Sequence, residues 1–174
     1  MPPTEVMLRA AHESDGPVIG AIKVETWRRA YSSILPAAVL DGLDATQELA
    51  EWGAYADDTP PDHRLIVACR GDEVIGYGRS EPCPDSDVPG AGEVAGLYVH
   101  PAAQGRGVGT AMLAWLVDDL VARGFDPIAL WHFVGNEQAA AVYTRFGFRP
   151  DGARRPVPGL GIGEVRLRLV HRVG

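Results

Sequence analysis

The sequence predicts an α/β domain with a mixed central sheet flanked by helices, and three observations carry that expectation. Two β-rich runs, Leu65–Cys69 and Val74–Arg79, flank a turn at Gly71-Asp72 and read as an antiparallel hairpin. The strand-like runs Glu93–Val99 and 126–133 ("DPIALWHF") bracket an amphipathic segment, Val108–Ala122, which reads as a right-handed strand–helix–strand crossover. Helical patterns precede the hairpin and further strands close the chain, so parallel and antiparallel pairing must coexist. One clear crossover is too few for a doubly wound nucleotide-binding fold, which repeats the unit. The length of 174 residues and 46 % apolar content fit one domain with a core of its own.

In chain order, "MLRAA" (Met7–Ala11) is a short strand. Residues 13–31 form a helix, with Ser14 or Asp15 as cap, Pro17 in the first turn, and Val18, Ile19, Ile22 and Trp27 on one face. "SSILP" ends it, and two short helices follow over 36–43 and 46–56, stopped by "TPPD". After the hairpin, "CPDSDVPGAG" is a loop. In the helix Val108–Ala122, the residues Val108, Met112, Trp115, Leu116 and Leu120 share a face, with Asp118 and Asp119 off it. A further helix, 136–146, has Asn136 as N-cap and Gly147 as its stop. Residues 148–155 and 163–172 are the late strands.

The bulk numbers exclude several classes. A net charge of −7 argues against nucleic acid, which calls for a basic face. Solubility accounts for the acidity, and through steering it also suits a cationic small partner. No run approaches the roughly 20 apolar residues of a membrane span, and the start shows no signal-peptide pattern. Two cysteines, Cys69 and Cys83, match neither a disulfide framework nor a zinc spacing. A cytoplasmic chain with reduced thiols is expected.

The stretch "HPAAQGRGVGTAML" (His100–Leu113) stands between a strand end and a helix start. Glycines at 105, 107 and 109 let the backbone turn tightly and a ligand touch the main chain. The first helical turn offers unpaired N–H groups and a partial positive charge. Gln104, Gly105, Arg106, Gly107, Val108 and Gly109 thus form a cradle for a phosphate or pyrophosphate, with Arg106 as an added cation. The P-loop pattern fails because no lysine follows the glycines. The dinucleotide fingerprint fails because the spacing is G-x-G-x-G and the next strand ends without an acid.

"LYVHPAAQGRGVGTAML" resembles the acyl-CoA signature of the GNAT superfamily of N-acetyltransferases, V-x-P-x-x-Q-G-x-G-x-G/A. "NEQAAAVYTRFGF" (Asn136–Phe148) is similar to that family's second motif, N-x-x-A-x-x-x-Y-x-x-x-G-F. The resemblance implies a single GNAT-type domain over 1–174, with two parallel strands splayed apart in the central sheet. Residues 1–92 would form the acceptor side, 93–148 the acetyl-CoA-binding core, and 149–174 the closing strands. It also implies that backbone N–H groups from Gln104 to Gly109, with Thr110, hold the CoA pyrophosphate. Leu97, Tyr98 and Val99 would pair with the pantetheine arm like an added strand, with Asn136 and Tyr143 near its far end.

The implied reaction is attack of a primary amine of a small molecule or peptide on acetyl-CoA in a ternary complex. The Val99 N–H is the expected oxyanion donor. Tyr143 is the expected acid, since a phenol (pKa ~10) and a thiol (~8.5) are near balance. Glu93 opens the central strand where the family holds a base, acting directly or through water; a raised pKa would support that role and free solvation would oppose it. Trp27 and Tyr31, with Trp52, Tyr55 and Asp41 or Asp44, would line a pocket for a cationic amine. Trp27 and Trp52 also read as core residues of their own helices. His100 and His132 sit near neighbouring strand ends and lack a third ligand of metal spacing, so no metal is expected, although either could serve as base. The reading from another class is a non-catalytic acyl-CoA-binding or sensing module, which could dispense with Tyr143 and Glu93. A monomer or homodimer is expected.

Overall fold

The computed structural model describes residues 5–170. The elements are β1 (Val6–Ala10), α1 (Gly16–Ala30), α2 (Ala37–Asp41), α3 (Ala45–Asp57), β2 (Arg64–Arg70), β3 (Glu73–Pro82), β4 (Gly92–Val99), α4 (Val108–Ala122), β5 (Ile128–Phe133), α5 (Glu137–Phe146), β6 (Arg149–Pro156) and β7 (Gly163–Leu169). The predicted last strand reaches 172, and its final residues lie outside the described ones.

The strands form one mixed sheet in the order β1-β2-β3-β4-β5-β7-β6. All neighbours are antiparallel except β4 and β5. That parallel pair meets only at Gly92↔Ile128 and Glu93↔Ala129 and then parts. A bulge at Ala95 bends β4 at the same place, because Arg79 pairs with Gly96 and Ser80 with Val94. The expected splay of the parallel strands is therefore present.

Both faces of the sheet are covered, which explains why β2 reads as a continuous apolar run. Ile66 and Ala68 face α4, packed with Met112, Leu113, Leu116, Leu120, Ile128, Leu130 and Phe148. Leu65, Val67 and Cys69 face α1 and α3, packed with Ile19, Ile22 and Tyr77. Each fully buried aliphatic side chain of this kind contributes about 1.5–3 kcal/mol by leaving water.

Two expectations change. Trp115, placed on the buried face of α4 by its spacing, is 39 % exposed. The buried stripe runs through Met112, Leu113, Leu116, Val117 and Leu120, and Trp115 falls beside it. Asp15 stands at the N-cap of α1 without capping it. Its carboxylate turns back to Arg9 (2.7 and 2.9 Å) and the His12 N–H (2.8 Å), and Arg9 holds its pKa below the usual range.

Candidate active site

Where β4 and β5 part, one edge of β4 is left without a strand partner. Val99 and Leu97 oppose Gly76 and Gly78, and the His100 N–H donates to Ile75 O at 2.8 Å. Antiparallel alternation then turns the N–H groups of Leu97 and Val99 away from β3 and into the gap. The gap opens into a cavity of about 690 Å³.

Beyond β4 the chain enters the glycine turn. Gly105 and Gly107 have φ of +75° and +80°, and a Cβ on either would meet no protein atom within 4 Å. They are glycines for backbone conformation, not for want of room. Gly107 caps α4 in the left-handed region, no side chain caps the helix, and its first turn carries no acid. The first-turn N–H groups and the positive end of the helix are thus left open toward the cavity. Gln104 ties the turn to β4, its Nε2 donating to Val99 O at 3.0 Å.

The cavity brings together most of the expected residues. Leu97, Tyr98 and Val99 line it from β4. Gln104, Gly105, Gly107, Val108, Gly109 and Thr110 line it from the turn and α4. Asn136 and Tyr143 come from α5, and Trp27 and Tyr31 from α1. Arg106 is exposed and outside the lining, so the added cation expected there does not face the cavity in this structure.

Asn136 does cap α5, its Oδ1 accepting the Ala139 N–H at 3.3 Å. Tyr143 packs its ring on Phe148, and burial raises its phenol above the ordinary value. The proton therefore stays on the phenol at neutral pH, and its full transfer to a thiolate is uphill rather than near balance. His132 lines the cavity beside Tyr143, ring centroids 6.4 Å apart, with Nδ1 donating to Phe133 O at 2.9 Å. His100 is held at the surface by Glu25 (3.1 Å).

On the other side of the gap stands an aromatic wall. Trp27, Tyr31 and Phe133 meet edge to face at 4.8–5.6 Å, and Trp27 Nε1 donates to the Tyr98 hydroxyl at 3.4 Å. Trp52 and Tyr55 are not part of it. Trp52 packs on Tyr77 and donates to Glu48 (2.9 Å), while Tyr55 bonds His63 (2.9 Å). Asp41 and Asp44 are exposed and off the lining.

Glu93 is 6 % exposed, and among the described residues no hydrogen bond or ion pair joins its carboxylate. Burial first, then Glu81 and Asp85, push its pKa up to about 7 against the pull of Arg155 and Arg79. It sits just behind the lining, with the Cys83 Sγ and an Asp85 carboxylate oxygen within 4.8 Å of its own. Among the cavity residues that escaped the sequence reading are Trp131, Phe133, Arg145 and Glu164. Phe133 pairs with Glu164 across β5 and β7, a contact between distant segments that no local pattern announces.

Residues 13–148 match the model of the acetyltransferase (GNAT) family. The chain belongs to that family. By family the GNAT chain is an acyltransferase. It is 31 % identical over 104 residues to phosphinothricin N-acetyltransferase of Streptomyces coelicolor, covering 60 % of this chain and 61 % of that one. It is 29 % identical over 157 residues to mycothiol acetyltransferase of a Nocardioides species, covering 84 % of this chain and 50 % of that one. The match therefore spans about three fifths of the first relative and half of the second. The fold is shared with PaiA N-acetyltransferase of Thermoplasma acidophilum, solved with coenzyme A (TM-score 0.72, 15 % identity, 93 % of this chain and 98 % of that one). It is shared too with a GCN5-related N-acetyltransferase of Rhodopseudomonas palustris (TM-score 0.76, 19 % identity, 98 % and 99 %). Among the described residues of the GNAT chain, no helix is long and apolar enough to cross a membrane.

Proposed function

We propose that this GNAT chain transfers the acetyl group of acetyl-CoA to a primary amine of a small molecule or peptide, by direct attack in a ternary complex. One observation carries the reading: the uncapped, glycine-led start of α4 is continuous with a strand edge whose N–H groups face an open gap. A phosphate suits the first feature and an amide-bearing arm the second. N–H groups from Gln104 to Thr110 hold the pyrophosphate, Leu97 to Val99 align the pantetheine, and Asn136 lies near its far end.

The amine nitrogen attacks the thioester carbon while the Val99 N–H receives the developing oxyanion. The attached nitrogen then gives up its extra proton to water, the C–S bond breaks, and Tyr143 donates a hydrogen bond to the departing sulfur, which leaves as a stabilised thiolate. Glu93 takes the ammonium proton through a water, since it stands behind the lining. The acceptor side draws on residues 1–92 and also on β7, through Glu164. The aromatic wall and Glu164 suit an ammonium group. Two free cysteines fit action in the cytoplasm, by a monomer or homodimer.

The test is thiol release from acetyl-CoA with polyamines, aminoglycosides, amino acids and peptides, products identified by mass. Amine-dependent release is expected. Tight binding of acetyl-CoA with no acetylated product from the whole panel would overturn the enzyme reading in favour of an acyl-CoA sensor.

A further inference from the structure

The loop between β3 and β4 is tied down by one buried side chain. Arg166 of β7 is 4 % exposed and spends its whole guanidinium on carboxylates. Nε donates to Asp151 (2.7 Å), Nη1 to Asp85 (3.0 Å) and Asp87 (2.8 Å), and Nη2 to Asp87 (2.6 Å). Asp85 and Asp87 belong to that loop, which is thereby fastened to β7. The Asp85 oxygen that takes Arg166 also accepts Trp131 Nε1 at 2.9 Å. Trp131 forms part of the cavity wall, and the Arg155 guanidinium lies 4.0 Å over its ring. Asp85 in turn stands within 4.8 Å of the Glu93 carboxylate.

We propose that Arg166 is a positioning residue for acetyl transfer. By fixing Asp85 between Trp131 and Glu93, it holds the acceptor wall in place and sets the charge that the Glu93 carboxylate meets. The proposal rests on the reading of Glu93 as base. A planar five-donor fork is the group suited to this, since a lysine's point charge cannot bind three carboxylates in fixed directions. The charged or titratable groups facing Glu93 are Glu81 and Arg79 from β3, Cys83 and Asp85 from the loop, and Arg155 from β6. Asp85 is the one among them that Arg166 grips. Removing the Asp85 charge should ease ionisation of Glu93, and removing Arg166 should leave Asp85 with only the longer ion pair to Arg155 (3.7 Å) and so hinder it.

The experiment follows the carboxyl carbon of Glu93 by NMR in the full chain labelled with ¹³C-glutamate, assigned with Glu93→Gln. Asp85→Asn should move the Glu93 midpoint down by about one pH unit, and Arg166→Met should move it up. Opposite shifts are a signature that a scaffold role alone does not produce, because that role lowers the melting temperature and leaves the midpoint in place. A midpoint unchanged in Asp85→Asn overturns the proposal, and that isosteric variant keeps the test available if Arg166→Met fails to fold. With every panel amine that turns over, Arg166→Lys should raise KM for the amine several-fold and leave KM for acetyl-CoA unchanged. Equal losses on both substrates overturn the wall's part in the proposal. Undiminished transfer by Glu93→Gln would instead refute the base, while opposite midpoint shifts would still show that Arg166 controls the Glu93 environment.

Discussion

At the residue scale, Glu93 is a carboxylate that the fold shields from water and that receives no hydrogen bond from the described residues. Its folded pKa of about 7 lies above the unfolded value of about 4.3. The stability tied to its protonated form is therefore full below the unfolded value and is lost as pH rises through about 7. Glu93→Gln should be more stable than the wild type at pH 8, by roughly 3–4 kcal/mol, and match it at pH 4, read by urea unfolding. With one fixed amine, kcat/KM of the wild type should fall below pH about 7, and the same substitution should remove that fall in a pH–rate profile. Tyr143→Phe should lower kcat about 10- to 100-fold with acetyl-CoA affinity retained, as measured by stopped assay and calorimetry. Both positions were legible only through the family resemblance. A glutamate at a strand start is most often solvated, and a tyrosine on an Ala-rich helix is most often core. What makes Glu93 unusual is that it faces Glu81 across β3 and Asp85 from the loop, which is a property of three segments at once.

Elements were the easiest part to read, because each rests on a short-range period or a cap. The hairpin, α4 and α5 announced themselves through two β-rich runs about a turn, an apolar stripe and the Asn136 and Gly147 ends. The drift of a stripe around a long helix is harder to see, and it put Trp115 on the wrong side. The glycine turn was legible as a cradle, yet the reason for its glycines was only half legible. Positive φ at Gly105 and Gly107 is a statement about the backbone, and the open space around them shows that no neighbouring side chain demands their smallness. A direct consequence is that Gly107→Ala is strained without any clash. The left-handed conformation costs a Cβ-bearing residue about 1–2 kcal/mol. The variant should relieve that strain by reshaping the turn, so its acetyl-CoA affinity should drop about tenfold in calorimetry. Its melting temperature should move little, because Gly107 is exposed and outside the core.

At the scale of the whole molecule, the sheet order β4-β5-β7-β6 decides what lines the cavity beside β5. Inserting β7 beside β5 sets Glu164 opposite Phe133 at the cavity and brings Arg166 beneath the β3–β4 loop. No periodicity in residues 149–170 signals that insertion, since either late strand could have paired with β5. The buried charges there also separate stability from chemistry. The Asp151 side chain is 3 % exposed and accepts from both Arg166 (2.7 Å) and Arg168 (2.9 Å). Asp151→Asn withdraws one of the three carboxylates that Arg166 holds and the partner of the partly exposed Arg168, which costs about 1.5–3 kcal/mol for charged hydrogen bonds rather than the larger cost of a buried charge left alone. A domain of this size should then lose roughly 5 °C in melting temperature, read by calorimetry or circular dichroism. Arg166 keeps Asp85 and Asp87 in that variant, so Asp85 stays against Glu93 and Trp131. Asp151→Asn should accordingly be a less stable enzyme with an unmoved pH profile, the reverse of Asp85→Asn. If the two variants instead shift the profile alike, the network acts as one unit and Asp85 holds no separate place between the core and the acceptor wall.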